Sequence, residues 1–148
     1  MARGVTPPGA PVPRASHPLE GRLGDQIEVR GYDVAPAVVA PGGDVEVTYY
    51  FAAKKRIADR WRLFFHLEGP AGYRNLDHVP VEGLMPLERW RPGQQIRDRQ
   101  RIPLQPGTPP GVYTIYVGAF RGGERLPVAP ADLSDGHDRL RVGTFVVR

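Results

Sequence analysis

Apolar and polar residues alternate with a period of two along most of the chain. Val45, Val47, Tyr49 and Phe51 alternate with Glu46, Thr48 and Tyr50, the pattern of a strand with one face in a core. Trp61, Leu63, Phe65 and Leu67 form a second inward row, with Arg62, Phe64 and His66 on the other face. Tyr113, Ile115, Val117 and Ala119 give a third, and a last strand spans Leu140 to Val147. Ile27 and Val29 alternate with Glu28 and Arg30, and Tyr32 and Val34 continue on the opposite parity, so Gly31 marks a β-bulge that rotates the strand. PGGD, GPAG and PGTPPG supply turns between these runs, and no segment shows a helical period. The pattern predicts an all-β fold, an immunoglobulin-like β-sandwich of about seven antiparallel strands. The 18 Gly and 17 Pro favour such a turn-rich chain over an α/β one.

A chain of 148 residues fits one domain with a real core. Residues 1–20 are predicted to be a Pro-rich flexible tail or linker, because Met1 to Pro18 hold five Pro and little that could be buried. Residues 21–148 are the sandwich. Within it, Pro109-Pro110-Gly111-Val112-Tyr113 sets a Tyr just inside a strand after a turn, the arrangement of a tyrosine corner.

Composition narrows the chemistry. With no Cys, disulfides, thiolate nucleophiles and Cys-bound zinc are excluded. The net charge of +4 comes from 20 basic residues spread along the chain, with no zinc-finger spacing, RNP-like segment or basic helix. Nucleic acid is therefore not an expected partner. No apolar run approaches the ~20 residues that span a bilayer, and the N-terminus lacks the apolar stretch of a signal peptide. The expected location is the cytoplasm if the chain is complete, and outside it if the chain is part of a larger membrane protein.

The stretch from Asp77 to Ile102 holds most of the candidate chemistry. His17 falls in the predicted tail and His137 in the loop SDGHD, which leaves His66 and His78. A metal or hydrolytic site would need His66, Asp77, His78 and Asp98 to converge, yet no HExxH, EF-hand or His-x-His motif supports one. In Ile96-Arg97-Asp98-Arg99-Gln100-Arg101-Ile102 the alternation puts Asp98 on the face of the two Ile and the three Arg on a solvated face. A buried carboxylate must find hydrogen-bond donors, so Asp98 either pins the long loop before it or belongs to a site. Trp90, Tyr73 and Tyr50 could form a stacking platform for sugar rings, but a Trp in a context such as ERWRPG more often closes a loop onto the sheet, and packing is the expected role of Trp90.

The segments GYDV, FFHLEGPAG, DHVPVEG, P-x-x-x-W-x-P-G-x-x-x-x-D, PPGVYTIYVGAF and GGERLPV resemble the soluble C-terminal β-sandwich domain of bacterial membrane glycosyltransferases of the dolichyl-phosphate-mannose mannosyltransferase type. The resemblance covers roughly Gln26 to Val147, and Phe64, His66, Asp77, Pro80, Gly83, Pro86, Trp90, Gly93, Asp98, Gly111 and Tyr113 occupy its pattern. It implies a non-catalytic accessory or binding module of the cell envelope, recognising a glycan or an envelope protein, with no cofactor and no metal. Phe64, His66, Tyr73, Asp77, His78, Trp90 and Asp98 are the candidate binding residues. A purely structural spacer or assembly domain is the alternative, and a metal-dependent hydrolytic site a third reading.

Overall fold

The computed structural model describes residues 4–10, 14–58 and 60–148. Twelve strands run in chain order as β1 (Val5–Thr6), β2 (His17–Leu23), β3 (Ile27–Ala35), β4 (Val38–Val39), β5 (Asp44–Ala53), β6 (Arg62–Gly69), β7 (Gly72–Asn75), β8 (Gln95–Pro103), β9 (Gly111–Arg121), β10 (Glu124–Arg125), β11 (Val128–Ala129) and β12 (Leu140–Val147). One sheet has the order β1-β8-β5-β3-β2-β11 and the other β4-β12-β9-β6-β7, with β10 hairpinned onto β9. The fold is an all-β sandwich, and the predicted strands are its long ones. The additions are β2, a seven-residue strand between β3 and β11, and short strands of two to four residues, one of which, β4, pairs parallel to β12. Among the long strands, β2, β3, β5 and β8 lie in one sheet and β6, β9 and β12 in the other. Between β7 and β8 the chain runs as an irregular connection, residues 76–94, with one short 3-10 turn at Leu87–Arg89.

The inward rows follow the alternation. Val45, Val47, Tyr49 and Phe51 of β5 and Phe65 of β6 are fully buried, as are Ile115 and Val117 of β9, and they meet across the interface between the sheets. The register of β3 on β5 shifts between Val29 and Gly31, so the bulge falls where the parity changes. Gly31 also lets β2 approach, since a Cβ there would lie 2.6 Å from the His17 carbonyl oxygen.

The tail differs from its prediction. Val5 pairs with Ile96, and the Arg97 amide donates to the Gly4 carbonyl at 2.6 Å, so β1 extends the edge beside β8. His17, expected in the tail, opens β2 and stacks on Tyr32 at 4.6 Å. An edge strand tolerates flanking prolines, and Pro-restricted backbone loses less entropy on ordering. Residues 1–3 and 11–13 of the predicted tail lie outside the described residues.

The tyrosine corner fastens the start of β9. Tyr113 donates its hydroxyl to the Pro109 carbonyl at 2.7 Å, and its ring fills the space where a Cβ on Gly69 would sit 2.4 Å from it. Tyr113→Phe should therefore lower stability by about 1 kcal/mol, the loss of one hydrogen bond. Gly69→Ala should cost about 1–3 kcal/mol by overpacking the same ring, and urea unfolding of both variants checks the order.

Candidate functional site

The connection over residues 76–94 is long for a compact domain, and such loops are uncommon unless they carry function. Its geometry is set from beneath by Asp98, which β8 directs into the sandwich with no solvent exposure. One carboxylate oxygen accepts the Val81 amide at 2.9 Å, and the other lies 2.5 Å from Nε2 of His78. Nδ1 of His78 lies 3.0 Å from the Leu76 carbonyl. Carbonyl and carboxylate both accept, so the ring donates from both nitrogens and carries the charge that Asp98 needs. Burial works against that charge, but the Asp98 hydrogen bond and Coulomb attraction outweigh it and raise the His78 pKa above 6.5.

The network continues into the core. Gln100 donates to the same Leu76 carbonyl at 2.7 Å and accepts the Tyr49 hydroxyl at 2.7 Å. Burial, then the charge of Asp98, pushes the Tyr49 phenol well above 10, so it remains a donor. The His78 ring stacks on Phe65 at 4.1 Å. Asp77 is engaged as well: its Oδ1 accepts the Phe65 amide at 2.7 Å. Trp90 is fully buried, packs on Phe51 at 5.7 Å and donates its indole N–H to the Met85 carbonyl at 2.9 Å. Val81 and Glu82 take left-handed φ of 57° and 54°, a costly conformation for non-glycine residues held here by these bonds.

The candidate residues thus divide into two groups. Asp77, His78, Trp90 and Asp98 belong to the connection and its anchor. Phe64, His66 and Tyr73 lie on the outer face of the other sheet, where His66 and Tyr73 pack edge to face at 4.9 Å. Alternation separates the two groups, since Phe65 points toward His78 and its neighbours Phe64 and His66 point away. The four-residue convergence considered for a metal is therefore not found: only His78 and Asp98 meet, and among the described residues no group of three His, Asp or Glu could hold an ion. The platform of Trp90, Tyr73 and Tyr50 is likewise dispersed, with Trp90 in the core and Tyr50 bonded to Asp33 on the other sheet.

The outer face holds a cluster that the sequence reading missed. Arg139 donates to both oxygens of Glu68 at 3.2 and 3.1 Å and to Asp135 at 2.6 Å, while lying 4.1 Å over the Tyr116 ring. Its Nη1 also lies 3.2 Å from Nδ1 of His66. Burial first, and then Arg139, lowers the His66 pKa, so His66 is the neutral acceptor of that contact. Arg125 covers Phe64 at 4.5 Å from its ring centroid. The signal was present: a strand with Leu63, Phe65 and Leu67 on one face and Phe64 and His66 on the other is apolar on both sides and must be covered on both.

Beside the anchor a cleft of about 630 Å³ opens between the start of β6, the end of β9 and the connection. Its lining includes Arg60, Trp61, Arg62, Glu88 and Phe120, together with Asp77 and His78. Of the predicted residues, only these last two reach it.

No family model matches the chain, and no curated protein matches it in sequence. Solved structures do share its shape. The C-terminal domain of wzt matches with a TM-score of 0.56 at 13% identity, over 91% of this chain and 82% of that one. The Pseudomonas fluorescens alkylpurine DNA glycosylase AlkC, bound to DNA containing an abasic site analog, matches with a TM-score of 0.54 at 14% identity. That match covers 83% of this chain and 30% of the glycosylase, so the chain spans under a third of that protein's length. At these identities the likeness establishes the fold. It also corrects the expectation of a non-catalytic module: this sandwich occurs within an enzyme chain, so the fold excludes no activity.

The anchor yields two expected outcomes. Trp90→Ala should destabilise the protein by about 3–5 kcal/mol, read as a large fall in Tm. The His78 pKa is raised on folding, so its contribution to stability is complete below pH 6.5 and is lost as pH rises through the higher folded-state value. Asp98→Asn should abolish that alkaline loss, and urea unfolding across pH with an NMR titration of the His78 ring measures both.

Proposed function

We propose that the chain is a recognition module and that the cleft beside the connection holds a sugar ring. The observation that carries this reading is the composition of the cleft. Its volume of about 630 Å³ falls in the range of roughly 300–1,000 Å³ typical of small-ligand sites. Its walls combine aromatic and proline surface with the planar polar groups of Arg60, Arg62, Asp77 and Glu88, which suit a ring with an apolar face and a hydroxylated rim. The wall formed by the connection is fixed before any ligand arrives, because Asp98, His78 and Trp90 hold it, and such preorganisation lowers the entropic cost of binding. The resemblance to the C-terminal domain of membrane glycosyltransferases supports a sugar as the ligand and the cell envelope as the setting.

A spacer or assembly role is favoured by one observation: both oxygens of Asp98 and both nitrogens of His78 are used inside the fold. A glycan array followed by calorimetry separates the two. Val79 is 46% exposed at the cleft, so Val79→Trp should fill the opening, leave Tm within about 2 °C, and weaken glycan binding at least tenfold, ~1.4 kcal/mol. Tyr73→Ala, on the outer sheet face, should leave binding unchanged. A blank array would favour the spacer, and loss of binding in Tyr73→Ala alone would move the site to that face.

A further inference from the structure

We infer that the ligand of the cleft carries a negative charge, as a carboxylate or phosphate on the sugar; this rests on the sugar-binding reading of the same cleft. The argument is a balance of hydrogen-bonding groups. Arg60 and Arg62 are exposed on one rim, and neither has an ion-pair partner among the described residues. Trp61 lies between them in sequence and lines the cleft, and its indole N–H has no acceptor among the described residues, whereas the indole of Trp90 is satisfied by Met85. The guanidinium of Arg121 lies 4.5 Å over the Trp61 ring and is itself paired with Glu124 at 3.6 Å, so the surplus rests on Arg60 and Arg62.

Acceptors facing this surplus are few. Asp77 already holds the Phe65 amide, and the charge of His78 is matched by Asp98 behind the wall. Among the described residues, the second oxygen of Asp77 and the carboxylate of Glu88 remain at the cleft and are the natural partners of ligand hydroxyls. Two guanidinium forks with no ion-pair partner among the described residues match the two oxygens of a carboxylate or phosphate, to which Arg binds in parallel hydrogen bonds. A neutral ring would leave those forks to water. An anionic substituent would gain from each.

The test compares trigalacturonate, the neutral trisaccharide of galactose, and glucose 6-phosphate by calorimetry on the full chain. The expected result is binding of at least one anionic sugar at least tenfold tighter than the neutral one. That affinity should fall about tenfold or more in the double variant Arg60→Ala/Arg62→Ala and decline with added salt. Arg22→Ala, an exposed arginine of β2 away from the cleft, removes one unit of positive charge and should leave affinity unchanged. Trigalacturonate and glucose 6-phosphate together distinguish carboxylate from phosphate. Equal binding of the neutral trisaccharide, or anionic binding that survives in the double variant, overturns the charge assignment and leaves the sugar-binding reading standing. Silence from all three sugars, with a blank glycan array, overturns both. Tm of each variant confirms that the exposed substitutions leave the fold intact.

Discussion

A carboxylate withdrawn wholly from water is tolerated only when the fold supplies its countercharge and its donors, because the solvation it forfeits amounts to several kcal/mol. Asp98 imposes that condition here. The strand that carries it pairs residue for residue with β5, from Asp44–Pro103 to Ala52–Gln95, so the carboxylate cannot turn outward without breaking the register. The chain between β7 and β8 must therefore bring a cation and an amide to it. His78 and Val81 are those groups, and their arrival fixes the path of residues 76–81 with no regular secondary structure. Trp90 holds the other end by burying its ring and satisfying its N–H on Met85. A connection pinned at two points by polar bonds and one indole is rigid enough to form a wall.

The wall explains why a cleft exists at this place. The sheet of β3, β5 and β8 is continued past β8 by β1, so the connection adds no strand to it. The connection passes through Pro80 and Pro86, and these line the cleft opposite residues from the start of β6 and the end of β9. Trp61 and Phe120 supply apolar surface, and Arg60, Arg62 and Glu88 supply charge. Internal demands shape the wall, and the residues that meet those demands are not the ones that face the opening.

Much of the fold was legible because two-residue alternation is a local property. The inward rows, the bulge at Gly31, the corner at Tyr113 and the burial of Asp98 with Ile96 and Ile102 each follow from parity within a few residues. Which histidine would answer Asp98 was not legible, since that depends on how far the connection folds back. Alternation already turns His66 outward on β6, whereas His78 lies in the irregular connection, whose path no local pattern gives. The left-handed backbone at Val81 and Glu82 has no sequence signal, because neither residue favours it and the local turn that contains it is tied to Asp98 from seventeen residues away. The strand character of the tail was missed for a related reason: prolines discourage pairing in general but not at an edge.

The two candidate faces also differ in what their charges are doing. On the outer sheet face Arg139 is committed to Glu68 and Asp135, with His66 and Tyr116 packed around the guanidinium, and burial of the Asp135 carboxylate is outweighed by that arginine, which lowers its pKa. A guanidinium held by two carboxylates has little to gain from a ligand, since binding would exchange existing charge-assisted bonds for new ones. Arginine at the cleft has no such commitments among the described residues. Charge satisfied within the fold leaves the outer sheet face as structure, and the proposed ligand is assigned instead to the cleft, where two arginines stand beside apolar wall.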